Sequence, residues 1–183
     1  MRVIAGIARG VPLLAPKDRG TRPITDRVKE TLFAILGARV PEAHMLDLYA
    51  GSGAIGIEAL SRGAASVTFI ERGREALAAL RANLERTGLG AAAQVTAGDV
   101  LRLLEAEPAH RYQIAILDPP YAEHAILAPL ERLVPLLDDD AVVVVKHFWR
   151  TEVPPVTGLH IRRVRRFGET SLTFLATDGD GQT

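Results

Sequence analysis

The stretch Met45-Leu46-Asp47-Leu48-Tyr49-Ala50-Gly51-Ser52-Gly53-Ala54-Ile55-Gly56 decides the fold. A short apolar strand over Met45–Tyr49 runs into a glycine-rich turn, and a helix over Ala54–Arg62 follows. Residues 51–56 match the G-x-G-x-x-G fingerprint literally, in the strand–turn–helix context that gives that motif meaning. Glycines at such a turn let the backbone bend sharply and come close to a ligand. Glu71 ends the next apolar run, Ser66–Glu71, twenty residues after Gly51. A carboxylate at that place accepts hydrogen bonds from ribose hydroxyls.

Outward from this core the chain alternates between strand and helix patterns. Arg74–Thr87 carries Leu77, Leu80 and Leu84 on one helical face and is closed by Gly88. Ala93–Ala97 reads as a third strand, Val100–Ala106 as a short helix, and Tyr112–Leu117, apolar but for Gln113, as a buried fourth strand. A helix over Ala125–Leu136 and a β-rich run over Ala141–Lys146 follow. Such alternation predicts an α/β domain with a largely parallel sheet and right-handed crossovers. The ends differ. Leu159–Arg166 and Thr170–Ala176, joined by Phe167-Gly168-Glu169, read as a terminal hairpin whose first arm is an edge, with Ile161 and Val164 among arginines. Residues 1–15, broken by Gly6, Gly10 and Pro12, read as a second small hairpin. Ile24–Ala38 reads as a helix with Thr25 or Asp26 as N-cap and Val28, Leu32, Ile35 and Leu36 on one face.

The fourth strand ends in Asp118-Pro119-Pro120-Tyr121. Two prolines stop a strand because neither offers an N–H to the ladder. They leave a carboxylate, a stiff carbonyl-rich segment and an aromatic ring at the strand's carboxyl end. That set suits a planar molecule with an amino group, the acceptors taking the amine hydrogens while the ring stacks on the flat face. A plain proline turn with a half-buried tyrosine is the competing reading.

Composition narrows the classes. At 183 residues the chain fits one domain, 1–183, with residues 1–22 as a basic N-terminal hairpin arm and 178–183 as an expected disordered tail. It lacks cysteine, which excludes disulfides and thiolate metal sites, and its five histidines show no ligand spacing and read as surface or structural. No membrane-length apolar segment or secretory signal is evident, so a cytoplasmic protein is expected. The formal net charge is zero, yet basic residues gather at both ends. Arg2, Arg9, Lys17, Arg19, Arg22, Arg27 and Lys29 face only Asp18 and Asp26 in the first 29 residues, and Arg162-Arg163-Val164-Arg165-Arg166 forms a second cluster. Nineteen of the 22 basic residues are arginine, the side chain suited to bidentate phosphate contacts, although codon bias also favours it over lysine.

The glycine fingerprint first brings to mind a nicotinamide-dependent oxidoreductase. Three features oppose it. Asp47 lies within the first strand, where a diphosphate gains nothing from a carboxylate but a ligand carrying an ammonium and a sulfonium does. Asp99, after the third strand, adds an acceptor for an adenine amino group, with a helix N-cap as its structural alternative. Asp118–Tyr121 has no part in hydride transfer. S-adenosylmethionine suits this acidic rim better.

Asp47–Arg62 resembles the cofactor motif of bacterial 16S ribosomal RNA guanine-N2 methyltransferases, the RsmD family. The resemblance extends to Arg2–Gly6, Arg22–Phe33, Asp118–Tyr121 and Arg166–Thr170, running from end to end in order. It implies a class I S-adenosylmethionine-dependent methyltransferase fold, Rossmann-like, with a seven-stranded mostly parallel sheet, the last strand antiparallel, and a small N-terminal β-hairpin. It implies methyl transfer to the exocyclic N2 of one guanine in 16S ribosomal RNA, free or in a small-subunit assembly intermediate, with no metal, no membrane and no obligate protein partner. On this reading the catalytic residues are Asp118, Pro119, Pro120 and Tyr121. The cofactor residues are Asp47, Tyr49, Ala50, Gly51, Ser52, Gly53, Gly56, Glu71, Arg72, Asp99, Val100 and Asp118. RNA contacts fall to Arg2, Arg9, Lys17, Arg19, Arg22 and Arg27, with the Arg162–Arg166 cluster as a second phosphate surface. Thr25, Asp26 and Arg27 close over the methionine end of the cofactor. An adenine-N6 methyltransferase is the nearest rival, because the same four-residue motif serves that chemistry; a noncatalytic RNA-binding scaffold is a remoter one.

Overall fold

The computed structural model describes residues 1–16, 24–105, 111–119 and 126–177. Seven strands form one sheet in the order β3-β2-β1-β4-β5-β7-β6. They are β1 (His44–Leu48), β2 (Ser66–Glu71), β3 (Ala93–Ala97), β4 (Tyr112–Leu117), β5 (Leu137–Phe148), β6 (Leu159–Phe167) and β7 (Thr170–Thr177). β1 to β5 run parallel, whereas β7 is antiparallel to β5 and β6 to β7. This is the mostly parallel α/β sheet expected of the sequence.

Helices cover both faces, and strand alternation decides which residues meet them. On one face α1 (Asp26–Leu36), α2 (Ala54–Ser61) and α3 (Arg74–Thr87) pack on Met45, Val67, Phe69, Ile114, Ile116 and Val144. On the other, α4 (Val100–Leu103) and α5 (Leu127–Leu133) pack on Leu46, Leu48, Ala115, Leu117, Val143 and Val145. A strand covered on both sides must be apolar at consecutive positions, which is why β4 and the centre of β5 read as unbroken runs. Gly56 sits where α2 crosses the sheet; a Cβ there would lie 2.3 Å from Phe69 Cε1 and 2.8 Å from Val67 Cγ1.

Several boundaries shift. β5 begins at Leu137 rather than Ala141. Three aspartates have low strand preference, yet Leu137 pairs with Tyr112 and Gln113 donates to Asp138 (2.7 Å), carrying the ladder through them. α1 starts at Asp26 with Thr25 as its cap, the Thr25 hydroxyl accepting from Val28 N, and ends at Leu36, where a 3-10 turn over Gly37–Arg39 takes over. α5 likewise stops at Leu133 before a 3-10 turn at Val134–Leu136. α4 ends at Leu103 with Leu104 as its C-cap, short of the expected Ala106; Ala106 and Ala125 lie outside the described residues.

The N-terminal segment departs most from expectation. Its hairpin is a single bridge, Arg2 to Pro12, with Val3 N donating to Val11 O and Leu13 N to Met1 O. Side chains of the helices hold it in place. Fully buried Glu58 on α2 accepts from Ile4 N (2.8 Å) and Ala5 N (2.9 Å), pairs with fully buried Lys29 of α1 (3.1 Å), and accepts from Arg62 Nε (2.8 Å). Lys29 Nζ in turn donates to the Arg2 carbonyl. Asn83 on α3 accepts from Leu14 N and donates to Leu14 O and Ser52 O. A buried charge needs this degree of satisfaction to be tolerated. The segment is thus tied to the same helix that follows the glycine turn.

Candidate active site

In the strand order the chain moves outward from β1 through β2 to β3, then returns to lay β4 against the other side of β1. The carboxyl ends of β1 and β4 therefore frame the crevice in which open α/β sheets bind ligands. Asp118 N donates to Leu48 O (3.3 Å), so the first residue past β4 is fixed to the end of β1. Tyr49, Ala50 and the glycine turn leave from the same point.

The turn is built around Glu71. Its Oε2 accepts from Gly51 N (2.8 Å), and its Oε1 accepts from Arg72 N (2.8 Å) and Gly73 N (2.7 Å). Glu71 thus joins the end of β2 to the glycine turn through backbone donors. Gly51 and Gly53 both have positive φ, 58° and 77°, and Gly53 caps α2 in the left-handed conformation. A Cβ on Gly51 would meet nothing within 4 Å, so open space lies in front of it. Tyr49, a bulky residue, also takes a positive φ of 59°, an uncommon conformation that concentrates at functional sites. Burial pushes the Tyr49 hydroxyl pKa up, and the Asp99 charge adds to this while Arg72 opposes it. Ser52 is buried, its carbonyl held by Asn83.

Asp47 lies beneath this turn, 1% exposed, with Oδ2 accepting from Gly56 N (3.0 Å). Burial pushes its pKa up to about 8; the Gly56 hydrogen bond opposes the rise, while the Asp118 and Glu71 charges add to it. In the absence of a cation the carboxyl is therefore mostly protonated at neutral pH. Gly56 contributes helix–strand packing and this one donor rather than an open surface.

Asp118 has a partner that the sequence reading missed. Lys146 of β5, 6% exposed, places Nζ 2.8 Å from Asp118 Oδ1 and 2.7 Å from Oδ2. Leu117 pairs with Val145, so the next residues on the two parallel strands stand side by side. The available signal was a lysine closing an all-valine run in the strand beside Asp118. Burial raises the Asp118 pKa, and the Lys146 charge and hydrogen bonds pull it back towards the ionised form. About a third of the Asp118 side chain, 30%, remains accessible, which leaves the carboxylate open to an incoming group.

The other sequence candidates divide clearly. Asp99 is the N-cap of α4, accepting from Leu101 N (3.0 Å) and Arg102 N (3.4 Å), while its Oδ2 lies 3.8 Å from Arg72. The N-cap reading of Asp99 thus holds, and the cap stands at the β3 end of the crevice, where Gly98 N donates to Glu71 O. Val100 is buried just after the cap, and Pro119 is buried after Asp118. Arg2 reaches Asp26 (3.4 Å), and Arg9 and Arg27 are exposed. Pro120, Tyr121, Lys17, Arg19 and Arg22 lie outside the described residues. His147 is structural, one ring nitrogen on Phe148 O and the other on Thr173 Oγ1, both at 2.8 Å, and burial holds its pKa down. No helix among the described residues is long and apolar enough to cross a membrane.

Comparison with known proteins agrees with this geometry. Residues 1–176 match the protein family described as "Conserved hypothetical protein 95". The chain is 40% identical over 190 residues to ribosomal RNA small subunit methyltransferase D of Escherichia coli (strain K12), covering all of this chain and 93% of that protein. It is 36% identical over 184 residues to the Bacillus subtilis (strain 168) protein YlbH, covering 98% of this chain and 100% of that one. The solved structure of Escherichia coli yhhF superposes with a TM-score of 0.87 at 33% identity, covering 98% of this chain and 99% of that chain. With relatives this similar along their whole length and the expected sheet in place, the chain is a methyltransferase and belongs to the ribosomal RNA small subunit methyltransferase D (RsmD) family.

Proposed function

We propose that this protein transfers the methyl group of S-adenosylmethionine to the exocyclic N2 of a guanine in 16S ribosomal RNA. One observation carries the reading: a partly accessible carboxylate, Asp118, is held rigidly at the switch point beside an open glycine turn. The donor set fits this cofactor. Glu71 and Asp99 provide acceptors on the β2 and β3 side, suited to ribose hydroxyls and an adenine amine. Asp47 provides a buried carboxyl that a nearby positive charge would ionise. Tyr49, Ala50, Gly51, Ser52, Gly53, Arg72 and Val100 complete the wall. Bound there, S-adenosylmethionine supplies a methyl carbon already activated by its sulfonium.

The residues of the chain handle the acceptor. The guanine amine is neutral and its lone pair is delocalised, so orientation matters most. Asp118 and the Pro119 carbonyl each accept one amine hydrogen, which aims the lone pair towards the methyl group. Lys146 favours the anionic form of Asp118 and holds it in place as a hydrogen-bond acceptor that then takes the proton shed by the methylated amine. Tyr121 stacks on the base, a contact worth ~1–3 kcal/mol. A paired guanine hides its N2 in the duplex minor groove, so the target is an unpaired or extruded base. Arg2, Arg9, Lys17, Arg19, Arg22 and Arg27 hold flanking phosphates.

Radiolabelled methyl transfer to 16S ribosomal RNA, both free and within small-subunit assembly intermediates, followed by digestion to nucleosides, tests the proposal. The label should appear as N2-methylguanosine. Label in N6-methyladenosine would instead establish the rival target, and no transfer to RNA would refute both.

A further inference from the structure

β5 continues past Lys146 to His147 and Phe148, and the next residue is Trp149, the only tryptophan in the chain. Because β7 runs antiparallel to β5 and β6 to β7, the turn between β6 and β7 arrives at the same end of the sheet as Asp118. Thr170 pairs with both Phe148 and Phe167, and Trp149 N donates to Glu169 O (2.9 Å), which fixes Trp149 against that turn. The Arg166 guanidinium lies 3.7 Å from the Trp149 ring centroid and that of Arg150 4.7 Å from it. Arg166 Nε is anchored on Gly168 O (2.9 Å), which leaves its terminal nitrogens without a hydrogen bond or acidic partner among the described residues. Arg150 has no acidic partner there either.

We infer that Trp149, Arg150 and Arg166 form a nucleotide-binding platform that grips single-stranded RNA beside the target base. The inference rests on the RNA methyltransferase reading given above and adds a specific surface to it. Aromatic rings and guanidinium planes are the groups on which unpaired bases stack, and guanidinium forks pair with phosphates. A stack of the two kinds, with outward-facing donors, offers both. Three residue steps lead from Lys146 to Trp149, about 10 Å if extended, or about three stacked nucleotides. The platform is therefore within reach of bases adjacent to a guanine held at Asp118. A protein of zero net charge has no general attraction for a polyanion, so local concentrations of positive charge such as this one and the N-terminal arginines have to provide it.

The single tryptophan makes the test direct. Titrating the protein with a short single-stranded RNA oligonucleotide should quench Trp149 fluorescence, and duplex DNA of equal charge should quench it far less. With a fluorescently labelled oligonucleotide, Trp149→Ala and Arg166→Glu should each weaken binding about tenfold or more, whereas Trp149→Phe should stay near wild type. Arg166→Ala should lower the slope of log affinity against log salt by about one. S-adenosylhomocysteine affinity should be unchanged in all four, showing that the fold is intact. Absent quenching, or wild-type RNA affinity in both Trp149→Ala and Arg166→Glu, overturns the platform. If the methyltransferase reading itself failed, the wild-type protein would methylate no RNA; if only the platform failed, wild type and both variants would methylate RNA with the same KM.

Discussion

Replacing Asp47 with asparagine separates what this residue costs the fold from what it gives the cofactor site. The carboxyl is buried, accepts one backbone hydrogen bond from Gly56, and has its pKa pushed from 3.8 up to about 8. Between these two values the folded protein holds a proton that the unfolded chain releases. Such a group contributes its full stability below about pH 4 and loses it as the pH rises towards 8. The slope is about 1.4 kcal/mol per pH unit, which accumulates to an upper bound of about 4 kcal/mol by pH 7. Asparagine retains the acceptor for Gly56 N and has no proton to lose. Urea unfolding of both proteins at several values between about pH 5 and pH 8 should show the variant gaining on wild type with rising pH and levelling off above about 8. The same substitution should weaken S-adenosylmethionine binding, because the ligand's positive charges favour an ionised carboxylate. Wild-type affinity should also rise with pH to about 8 while that of the variant stays flat. A constant stability difference across the whole pH range would refute the assignment of a protonated, buried Asp47.

Three further substitutions address the remaining parts of the site. Asp118→Ala should nearly abolish methyl transfer and leave S-adenosylhomocysteine affinity, measured by calorimetry, close to wild type. Lys146→Met removes the charge that pulls the Asp118 pKa down, so the acid limb of the kcat profile should move to higher pH and turnover should fall; an unmoved limb would show that Lys146 serves packing alone. Lys29→Met leaves Glu58 buried without its ammonium partner and should cost about 3–5 kcal/mol, seen as a lower urea midpoint. Limited proteolysis of that variant should cut first within residues 1–16, since Glu58 and Lys29 hold that segment on α1 and α2.

The architecture was legible because each element follows a local rule. β4 and β5 are apolar at consecutive positions, α3 keeps leucines on one face and ends at Gly88, and the glycine turn lies between a strand and a helix. Those patterns fix the parallel sheet and place Asp47, Gly51, Glu71 and Asp118 at its carboxyl end. Partnerships across the chain left no such trace. Lys146 reads as the end of a valine strand until the register sets it beside Asp118. Nothing in the pattern around Glu58 or Lys29 marks either charge as buried, yet both are fully buried beneath the N-terminal segment. Residues 1–22 read as a basic hairpin arm from their glycines, proline and arginines; the backbone groups that dock the first fourteen of them are invisible to composition. Trp149 carries no signal for a similar reason: a lone aromatic after a strand gains meaning only when the β6–β7 turn brings Arg166 onto its ring.

The central claim concerns the atom that receives the methyl group. Deleting the gene, mapping methylated nucleosides in 16S ribosomal RNA by mass spectrometry, and restoring either the wild-type or the Asp118→Ala gene tests it most directly. The account predicts that one N2-methylguanosine is lost on deletion, restored by the wild-type gene and not restored by Asp118→Ala. Loss of an N6-methyladenosine, an unchanged methylation map, or restoration by Asp118→Ala would contradict it.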